Sequence, residues 1–296
     1  MNVLITGVTG LLGRSLVETA PDKHNIYKIF PNELNKKFAK SKYNVCMDVR
    51  KSEQINSVFK LSYPDWIIHT AGITNVDSVE KNPTNSYEIN VKGTRNILEE
   101  CKKYNTKIIY LSSNAVFDGK TPPYKEEDGV NPVNQYGMQK AECENIIKKS
   151  KSDYVIVRPI LMYGWNETFE RLNPVTWEIQ MLMQSEQIRM VDDIYTQPLY
   201  SVACAEAIWK IIELNQSGTF HIAGKDVVTR YEFALKIAEI FGLNKSLIVP
   251  VKSAFFKNIA PRPENTSYVT KKMERELKII PVGIEEGLIS MKKNKF

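Results

Sequence analysis

Short, nearly continuous apolar runs alternate along the first half of the chain with longer stretches in which apolar positions return every three or four residues. Residues 2–6, Asn-Val-Leu-Ile-Thr, form the first run, and others follow at 25–30, 44–47, 65–70, 107–112 and 154–158. Their length and their polar borders predict buried strands. Between them, residues 11–20, 51–61, 85–104 and 133–149 carry the helical pattern and are bounded by Pro, Gly, Asn or Ser. Crossovers of this length are what parallel strands need, so the pattern predicts an α/β protein with a doubly wound parallel sheet.

After Arg158-Pro159 the alternation fades, and residues 165–187 mix aromatic and polar positions with no strand period. This stretch reads as inserted structure on the substrate side. Later elements are expected as a helix near 201–214, a strand at 218–222, a helix at 229–241 and a closing pair near 269–277 and 283–292. No internal repeat or low-complexity linker separates two units. The expected organisation is a dinucleotide-binding domain over 1–160, with segments of about 190–225 returning to it, and a smaller α/β substrate-binding lobe formed mainly by 161–296.

Composition narrows the function classes. The 296 residues are 43% hydrophobic, enough for a nucleotide-binding core with an appended lobe. The net charge of +6, from 40 basic against 34 acidic residues, is scattered except at Lys292, Lys293 and Lys295. No basic stripe is interleaved with aromatics, which argues against nucleic acid, while a modest positive field suits an anionic small molecule. Cys46, Cys101, Cys143 and Cys204 follow neither metal-ligand nor dense disulfide spacing, and none of His24, His69 and His221 lies near a second histidine or a cysteine at metal-binding spacing, so no metal site is expected. A strand beginning at residue 2 leaves no room for a leader, and no apolar run reaches the ~20 residues of a membrane helix. A cytoplasmic protein without a membrane partner is the expectation.

Gly7, Gly10 and Gly13 follow the first strand and open the first helix. In that setting the first glycine permits a tight turn, the second lets backbone approach a pyrophosphate, and the third allows the helix to pack closely on the strand. Thr9, Leu11 and Leu12 belong to the same Rossmann turn and are further candidate cofactor contacts. The Gly-x-x-Gly-x-x-Gly spacing differs from Gly-x-Gly-x-x-Gly and points to another branch of the fold. The tip of the second strand, Ile29-Phe30-Pro31-Asn32, lacks the acid that commonly holds an NAD ribose. Glu33 comes late, and Lys36 and Lys37 can meet a 2′-phosphate, so NADP is preferred with NAD still open. Asp48 and Val49, at the end of the third strand, are placed for the adenine.

Tyr136 and Lys140 lie four apart on a predicted helix and therefore share a face. A phenol with a reference pKa near ~10 exchanges protons at neutral pH only if a neighbouring cation stabilises the phenolate, and Lys140 supplies one. Leu111, Ser112, Ser113 and Asn114 end the fifth strand, at the sheet edge where ligands bind. Ser113 can orient a substrate carbonyl or hydroxyl against Tyr136. No nucleophile-elbow sequence surrounds it, and no histidine–acid pair suggests a hydrolase triad.

These residues resemble the extended short-chain dehydrogenase/reductase superfamily, and within it the dTDP-4-dehydrorhamnose reductases and their sugar-nucleotide-binding relatives. The matching stretches are Pro64-Asp-Trp-Ile-Ile-His-Thr-Ala-Gly72, Thr74-Asn-Val-Asp77, Ser112-Ser-Asn-Ala-Val-Phe-Asp-Gly119, Asn131-Pro-Val-Asn-Gln-Tyr-Gly137 and Arg262-Pro263. The resemblance implies a catalytic triad of Ser113, Tyr136 and Lys140, with Tyr136 as proton donor while reduced nicotinamide delivers hydride to a 4-keto sugar. It places Thr70, Ala71 and Gly72 along the cofactor, and Arg158, Pro159 and Ile160 near the nicotinamide. Thr74, Val76, Asn114 and Arg262 become substrate-side residues, with Arg262 facing a nucleotide phosphate or a structural acid.

Departures from the pattern bear on the substrate. The reductases often have Thr-Asp-Tyr where this chain has Ser113-Asn114-Ala115, often a Trp near Leu161, and a fuller motif over residues 192–198. Dehydratases usually carry an Asp-Glu pair after the catalytic hydroxyl, which Asn114-Ala115 does not supply. The implied activity is thus reduction of a nucleotide-sugar substrate, with 4-epimerisation as a related rival. A non-catalytic reading also exists: Thr121-Pro-Pro-Tyr-Lys-Glu-Glu-Asp128 and the Tyr-Gly-x-x-Lys context resemble the regulatory β subunit of methionine adenosyltransferase. Members of the superfamily are often homodimers.

Overall fold

The computed structural model describes residues 1–31, 43–150, 152–167, 170–257 and 259–294. Seven parallel strands form its central sheet: β1 (Asn2–Thr6), β2 (Asn25–Phe30), β3 (Asn44–Cys46), β4 (Trp66–His69), β5 (Lys107–Leu111), β6 (Tyr154–Pro159) and, from much later in the chain, β11 (Gly218–Ile222). Their spatial order is β11-β6-β5-β4-β1-β2-β3. Successive side chains of β1 enter different cores: Val3 and Ile5 join one apolar cluster, and Leu4 joins the other. A strand covered on both faces needs apolar residues at every position, which is why these segments read as continuous runs.

Helices α1 (Leu11–Glu18) and α8 (Ser201–Glu213) cover one face. They are fastened by Ser15 Oγ to Ser201 Oγ at 2.9 Å and by the Trp209 indole donating to the Leu16 carbonyl at 3.1 Å. Helices α2 (Ser52–Ser62), α5 (Gly93–Tyr104) and α6 (Gln135–Lys149) cover the other face.

The pattern over 85–104 predicts one helix, and the structure divides it. Helix α3 (Val76–Lys81) ends at Asn82, α4 (Pro83–Tyr87) follows at once, and a π-helical segment, Glu88–Lys92, leads into α5. Asn82 and Pro83 cause the break: the Asn82 side chain accepts from the Asn85 amide, and proline occupies the first helical position, where its missing N–H costs nothing. The wider π turn carries Asn90 inward, where it is buried.

The stretch 165–187 contains α7 (Pro174–Met183), begun by a capping box in which Asn173 accepts from the Thr176 amide while the Thr176 hydroxyl accepts from the Asn173 amide. Helix α9 (Arg230–Phe241) starts from a Thr229–Glu232 capping box and ends at Gly242. Both pack with α10 (Ile284–Lys293) around Tyr163, Ile179, Phe233, Ile237, Leu288 and Met291. The expected element near 269–277 is shorter, a π-helical turn over Met273–Leu277. Three two-stranded ladders were not foreseen: β7 (Met162–Tyr163) with β10 (Leu199–Tyr200), β8 (Ile188–Val191) with β13 (Ile248–Val251), and β9 (Tyr195–Thr196) with β12 (Val228–Thr229). Strands of two to four residues carry too little period to be seen in a sequence.

One late segment ties these C-terminal elements to the sheet. The Ala260 amide donates to Asp77 Oδ1 at 2.9 Å, the Asn134 side-chain amide donates to the Pro261 carbonyl at 2.9 Å, and Asn114 Nδ2 donates to Thr266 Oγ1 at 2.6 Å. The segment therefore crosses the carboxyl edge of the sheet, where β1, β4, β5 and β6 all end.

Candidate active site

The glycine turn is built in two different ways. Gly7 has φ +73°, and a Cβ there would lie 2.5 Å from Thr70 Oγ1 and 2.8 Å from the Ala71 amide nitrogen. A side chain on Gly13 would overlap the Gly7 carbonyl. Both positions are fixed by packing of the turn against itself and against β4. Gly10 differs: its φ is −93°, and an added Cβ would meet only the Gly7 carbonyl oxygen, at an ordinary 3.5 Å. Among the described residues, nothing requires glycine there. It immediately precedes α1, with no side-chain cap on the first helical amides, a position that fits an anion approaching the backbone.

At the far end of the cofactor path, the Asp48 carboxylate is held by Arg50 at 2.6–3.1 Å, which keeps its pKa below the usual range despite some burial. Val49 is buried against Gly93, and its carbonyl accepts from Asn96. Glu33, Lys36 and Lys37 lie outside the described residues.

The loop after β4 rests on polar groups that the sequence reading did not single out. Thr70 Oγ1 donates to the Thr6 carbonyl at 2.6 Å, and the Ala71 amide donates to Thr6 Oγ1 at 3.1 Å. His69 lies between Thr6 Oγ1 and Thr94 Oγ1, at 2.8 and 3.1 Å, and burial followed by the Lys140 charge pushes its pKa down to about 3. It is a neutral strut. Asn90 accepts from the Ile73 amide at 2.7 Å, donates to the Ile73 carbonyl at 3.1 Å and donates to Gln139 Oε1 at 2.9 Å. It thereby binds the 70–73 loop to the helix that carries Tyr136.

Three side chains meet at the end of β5. Ser113 accepts from the Ala115 amide at 3.1 Å and caps the single turn Asn114–Val116. Helix α6 begins at Asn134, which accepts from the Gly137 amide at 2.9 Å, and so Tyr136 stands in its first turn. Burial raises the Tyr136 phenol to about 12, opposed by the neighbouring Ser113 hydroxyl. One turn on, Lys140 Nζ lies 5.8 Å from the Tyr136 ring centroid, 4.9 Å from that of Tyr110, and donates to the Leu111 carbonyl at 2.6 Å. Burial lowers the ammonium to about 8, with Cys143 and Glu144 opposing. The amine is charged at neutral pH, and among the described residues it touches no carboxylate.

Other expected residues have different places. Ser112 donates to Glu144 Oε1 at 2.6 Å, and Glu144 pairs with Arg158 at 2.7 and 2.8 Å. The Ser112 side chain and the Arg158 guanidinium therefore face the scaffold beneath the site. Leu111 offers its carbonyl to Lys140, and Ile160, after Pro159 at the end of β6, packs into the core. On the substrate side, Thr74 is exposed, Val76 begins α3, and Asn114 is oriented by Thr266. Arg262 pairs with Asp77 at 2.9 Å and donates to the Ala260 carbonyl at 2.8 Å. Among the described residues, no cluster of three or more His, Cys, Asp or Glu has the arrangement of a metal site.

A family model described as the RmlD substrate binding domain matches residues 1–295. Methionine adenosyltransferase 2 subunit beta of Bos taurus is 28% identical, over 97% of this chain and 86% of that protein. The dTDP-4-dehydrorhamnose reductase of Aggregatibacter actinomycetemcomitans is 26% identical, over 97% of this chain and 96% of that protein. The crystal structure of dTDP-4-dehydrorhamnose reductase from Bacillus anthracis in complex with NADP superimposes with a TM-score of 0.88 at 29% identity, covering 99% of each chain. A Thermus thermophilus UDP-glucose 4-epimerase in complex with NAD, 19% identical over 99% of this chain and 98% of that one, shares the fold with a TM-score of 0.84.

Proposed function

The chain belongs to the RmlD substrate binding domain family, and from that premise we propose that it reduces the 4-keto group of a nucleotide-linked deoxy sugar with NADPH. The observation that carries this reading is the meeting of Ser113, Tyr136 and Lys140 at the carboxyl edge of the sheet, where Lys140 is charged at neutral pH and Tyr136 keeps its proton. The relative of similar length whose structure contains NADP is a reductase.

The residues fit the cofactor. Gly10 and the first amides of α1 take the pyrophosphate, Asp48 and Val49 take the adenine end, and Thr70, Ala71 and Gly72 line the path toward Lys140 and the Pro159–Ile160 end of β6. Reduced nicotinamide, when bound, supplies a hydride. The chain's own residues manage the proton. Ser113 donates a hydrogen bond to the substrate oxygen, and Tyr136 gives that oxygen its proton as negative charge develops on it. The phenolate left behind would be costly in a buried site, and the Lys140 ammonium offsets that cost through its nearby charge.

The test is loss of absorbance of NADPH with a panel of 4-keto nucleotide sugars, in wild type and Tyr136→Phe. Consumption in the wild type and its collapse in the variant are expected. Equal rates refute the proton-donor role, and net turnover of a nucleotide sugar without added reduced cofactor indicates the epimerase.

A second reading is favoured by the similarity to methionine adenosyltransferase 2 subunit beta over 97% of the chain. In that case the same cofactor site serves a regulatory subunit. A stable complex with a methionine adenosyltransferase catalytic subunit, together with no ketosugar-dependent oxidation of NADPH, would support it.

A further inference from the structure

The end of β5 sets two different groups against Lys140. Neighbouring side chains of a strand take opposite faces, so Leu111 joins the core beneath α1 and α8 while Tyr110 joins the core beneath α2, α5 and α6. Lys140 lies on the buried side of α6, above that second face. Its Nζ donates to the Leu111 carbonyl at 2.6 Å and stands over the Tyr110 ring, 4.9 Å from the centroid, with the Tyr136 centroid at 5.8 Å. His69, the registered partner of Tyr110 on β4, brings its ring centroid to 6.1 Å from that of Tyr110.

Lys140 is buried, and an ammonium taken out of water needs compensation for its charge and its three donors. Among the described residues no carboxylate forms an ion pair with it. Glu144, one turn further along α6, is bonded to Arg158 and Ser112, and Glu142 is bonded to Tyr87 and Arg95. Glu80, on α3, accepts from the Gln135 amide at the start of the helix. The Cys143 thiol donates to the Asn90 carbonyl at 3.3 Å, and burial keeps it neutral, as it does His69. What remains beside the charge is aromatic surface. A ring face is the negative side of its quadrupole and attracts a cation within ~6 Å of the centroid, more strongly once water is excluded. The Tyr110 hydroxyl has no hydrogen-bond partner among the described residues, and burial holds the phenol well above its ordinary pKa. The ring, rather than the hydroxyl, is therefore what Tyr110 offers to Lys140.

We propose that Tyr110 is a positioning residue for the reduction: the face of its ring holds the Lys140 ammonium, in charged form, against the end of β5 and beside Tyr136. The assignment rests on the reading of Lys140 as the cation that offsets a Tyr136 phenolate. Tyr110 acts through Lys140 alone, from beneath it. A ring in this place favours the charged form of the amine without presenting a carboxylate, and a carboxylate there would cancel the field that a phenolate needs.

The test is titration of the Lys140 amine in the full chain by NMR of lysine labelled with carbon-13 at Cε, the signal being identified by its loss in Lys140→Met. Tyr110→Leu and Tyr110→Met remove the ring and fill the space differently, so a shift common to both is not the effect of one cavity. In both, the midpoint should fall by about 0.5 to 1.5 pH units, the range of a desolvated cation–ring contact. Tyr110→Phe keeps the ring and should restore the wild-type midpoint. The rate of NADPH oxidation follows the same titration: relative to wild type, Tyr110→Leu should lose about three- to thirtyfold between about pH 6 and about pH 9. A midpoint that stays in place or rises without the ring, or that moves as far in Tyr110→Phe, would overturn the proposal. A rate loss equal at every pH would do the same, since it reports damaged packing alone. The two readings fail separately. A midpoint that falls as expected, with no oxidation of NADPH by any 4-keto sugar, keeps the role of Tyr110 beside Lys140 and removes the reductase; turnover in the wild type with an unmoved midpoint does the reverse.

Discussion

Gly137 and Ala115 lie so close that a methyl group on Gly137 would overlap the Ala115 carbonyl oxygen and come within 2.8 Å of Pro132 Cβ. The glycine that follows Tyr136 thus lets the first turn of α6 press on the turn headed by Ser113. That contact sets the distance between the two hydroxyls. Gly137→Ala must push the helix off the turn, because the opposing group is backbone. Overpacking of this kind costs about 1–3 kcal/mol, so a lower melting temperature is expected together with a fall in kcat of about tenfold or more. NADPH affinity should change less, since Gly7, Gly10 and Gly13 lie elsewhere. A variant with wild-type kcat would show that the packing is incidental to catalysis.

Gly10 and Gly13 separate in the same way. Gly10→Ala is accepted by the protein, so the melting temperature should stay within a degree or two of wild type, in the range of a neutral surface change. NADPH binding should weaken on the order of tenfold, because the methyl stands where backbone must approach phosphate. Gly13→Ala collides with the Gly7 carbonyl and should destabilise the fold before any ligand is added. Thermal melts and fluorescence titration of NADPH distinguish the two, and equal effects in both variants would contradict the assignment of Gly10 to the ligand.

Much of this was legible from residue pattern, for identifiable reasons. Strands buried on both faces are continuous apolar runs, and Val3, Leu4 and Ile5 show why: each must satisfy one core or the other. Tyr136 and Lys140 were visible because a four-residue spacing on a helix has a chemical use. Asn90 and Gln139 were not visible, since a buried amide in a helical stretch has the same letters as a solvent-facing one and the π turn that buries Asn90 has no sequence signature. Arg158 shows another limit of sequence. The resemblance sets it with Pro159 and Ile160 near the nicotinamide end, and strand alternation turns its guanidinium to Glu144.

That pair gives a stability prediction. Arg158 and Glu144 are 1% and 2% exposed, with Ser112 completing the bonding of the carboxylate at 2.6 Å. Although burial raises the Glu144 pKa, hydrogen bonding and charge from Arg158 outweigh it and hold the carboxyl below its usual value. A depressed carboxyl contributes stability above its unfolded pKa of about 4.3 and loses it as pH falls through the folded one. Glu144→Gln leaves Arg158 buried without its charge partner and should cost about 3–5 kcal/mol by urea denaturation at pH 7. The loss should shrink at low pH, where the wild-type carboxyl is protonated. A cost unchanged at acidic pH would refute the electrostatic account.

Lys140 supplies a prediction with opposite signs for stability and rate. Burial holds its ammonium to about 8, against the ordinary 10.5. Between those values the unfolded chain binds the proton more than the folded one does, so this group's contribution to stability rises with pH across that window. Catalysis moves the other way, because only the ammonium offsets a Tyr136 phenolate. The rate of ketone reduction should fall as pH rises through about 8, approaching tenfold per unit beyond it. Lys140→Met removes a buried charge and should melt no lower than wild type at pH 7, while kcat drops by about a hundredfold or more, the range of a lost acid–base partner. Its remaining activity should lack the alkaline fall near pH 8. A variant that melts far below wild type would mean that the hydrogen bond to the Leu111 carbonyl outweighs the cost of burying the charge, and an alkaline fall that persists without Lys140 would assign it to another group.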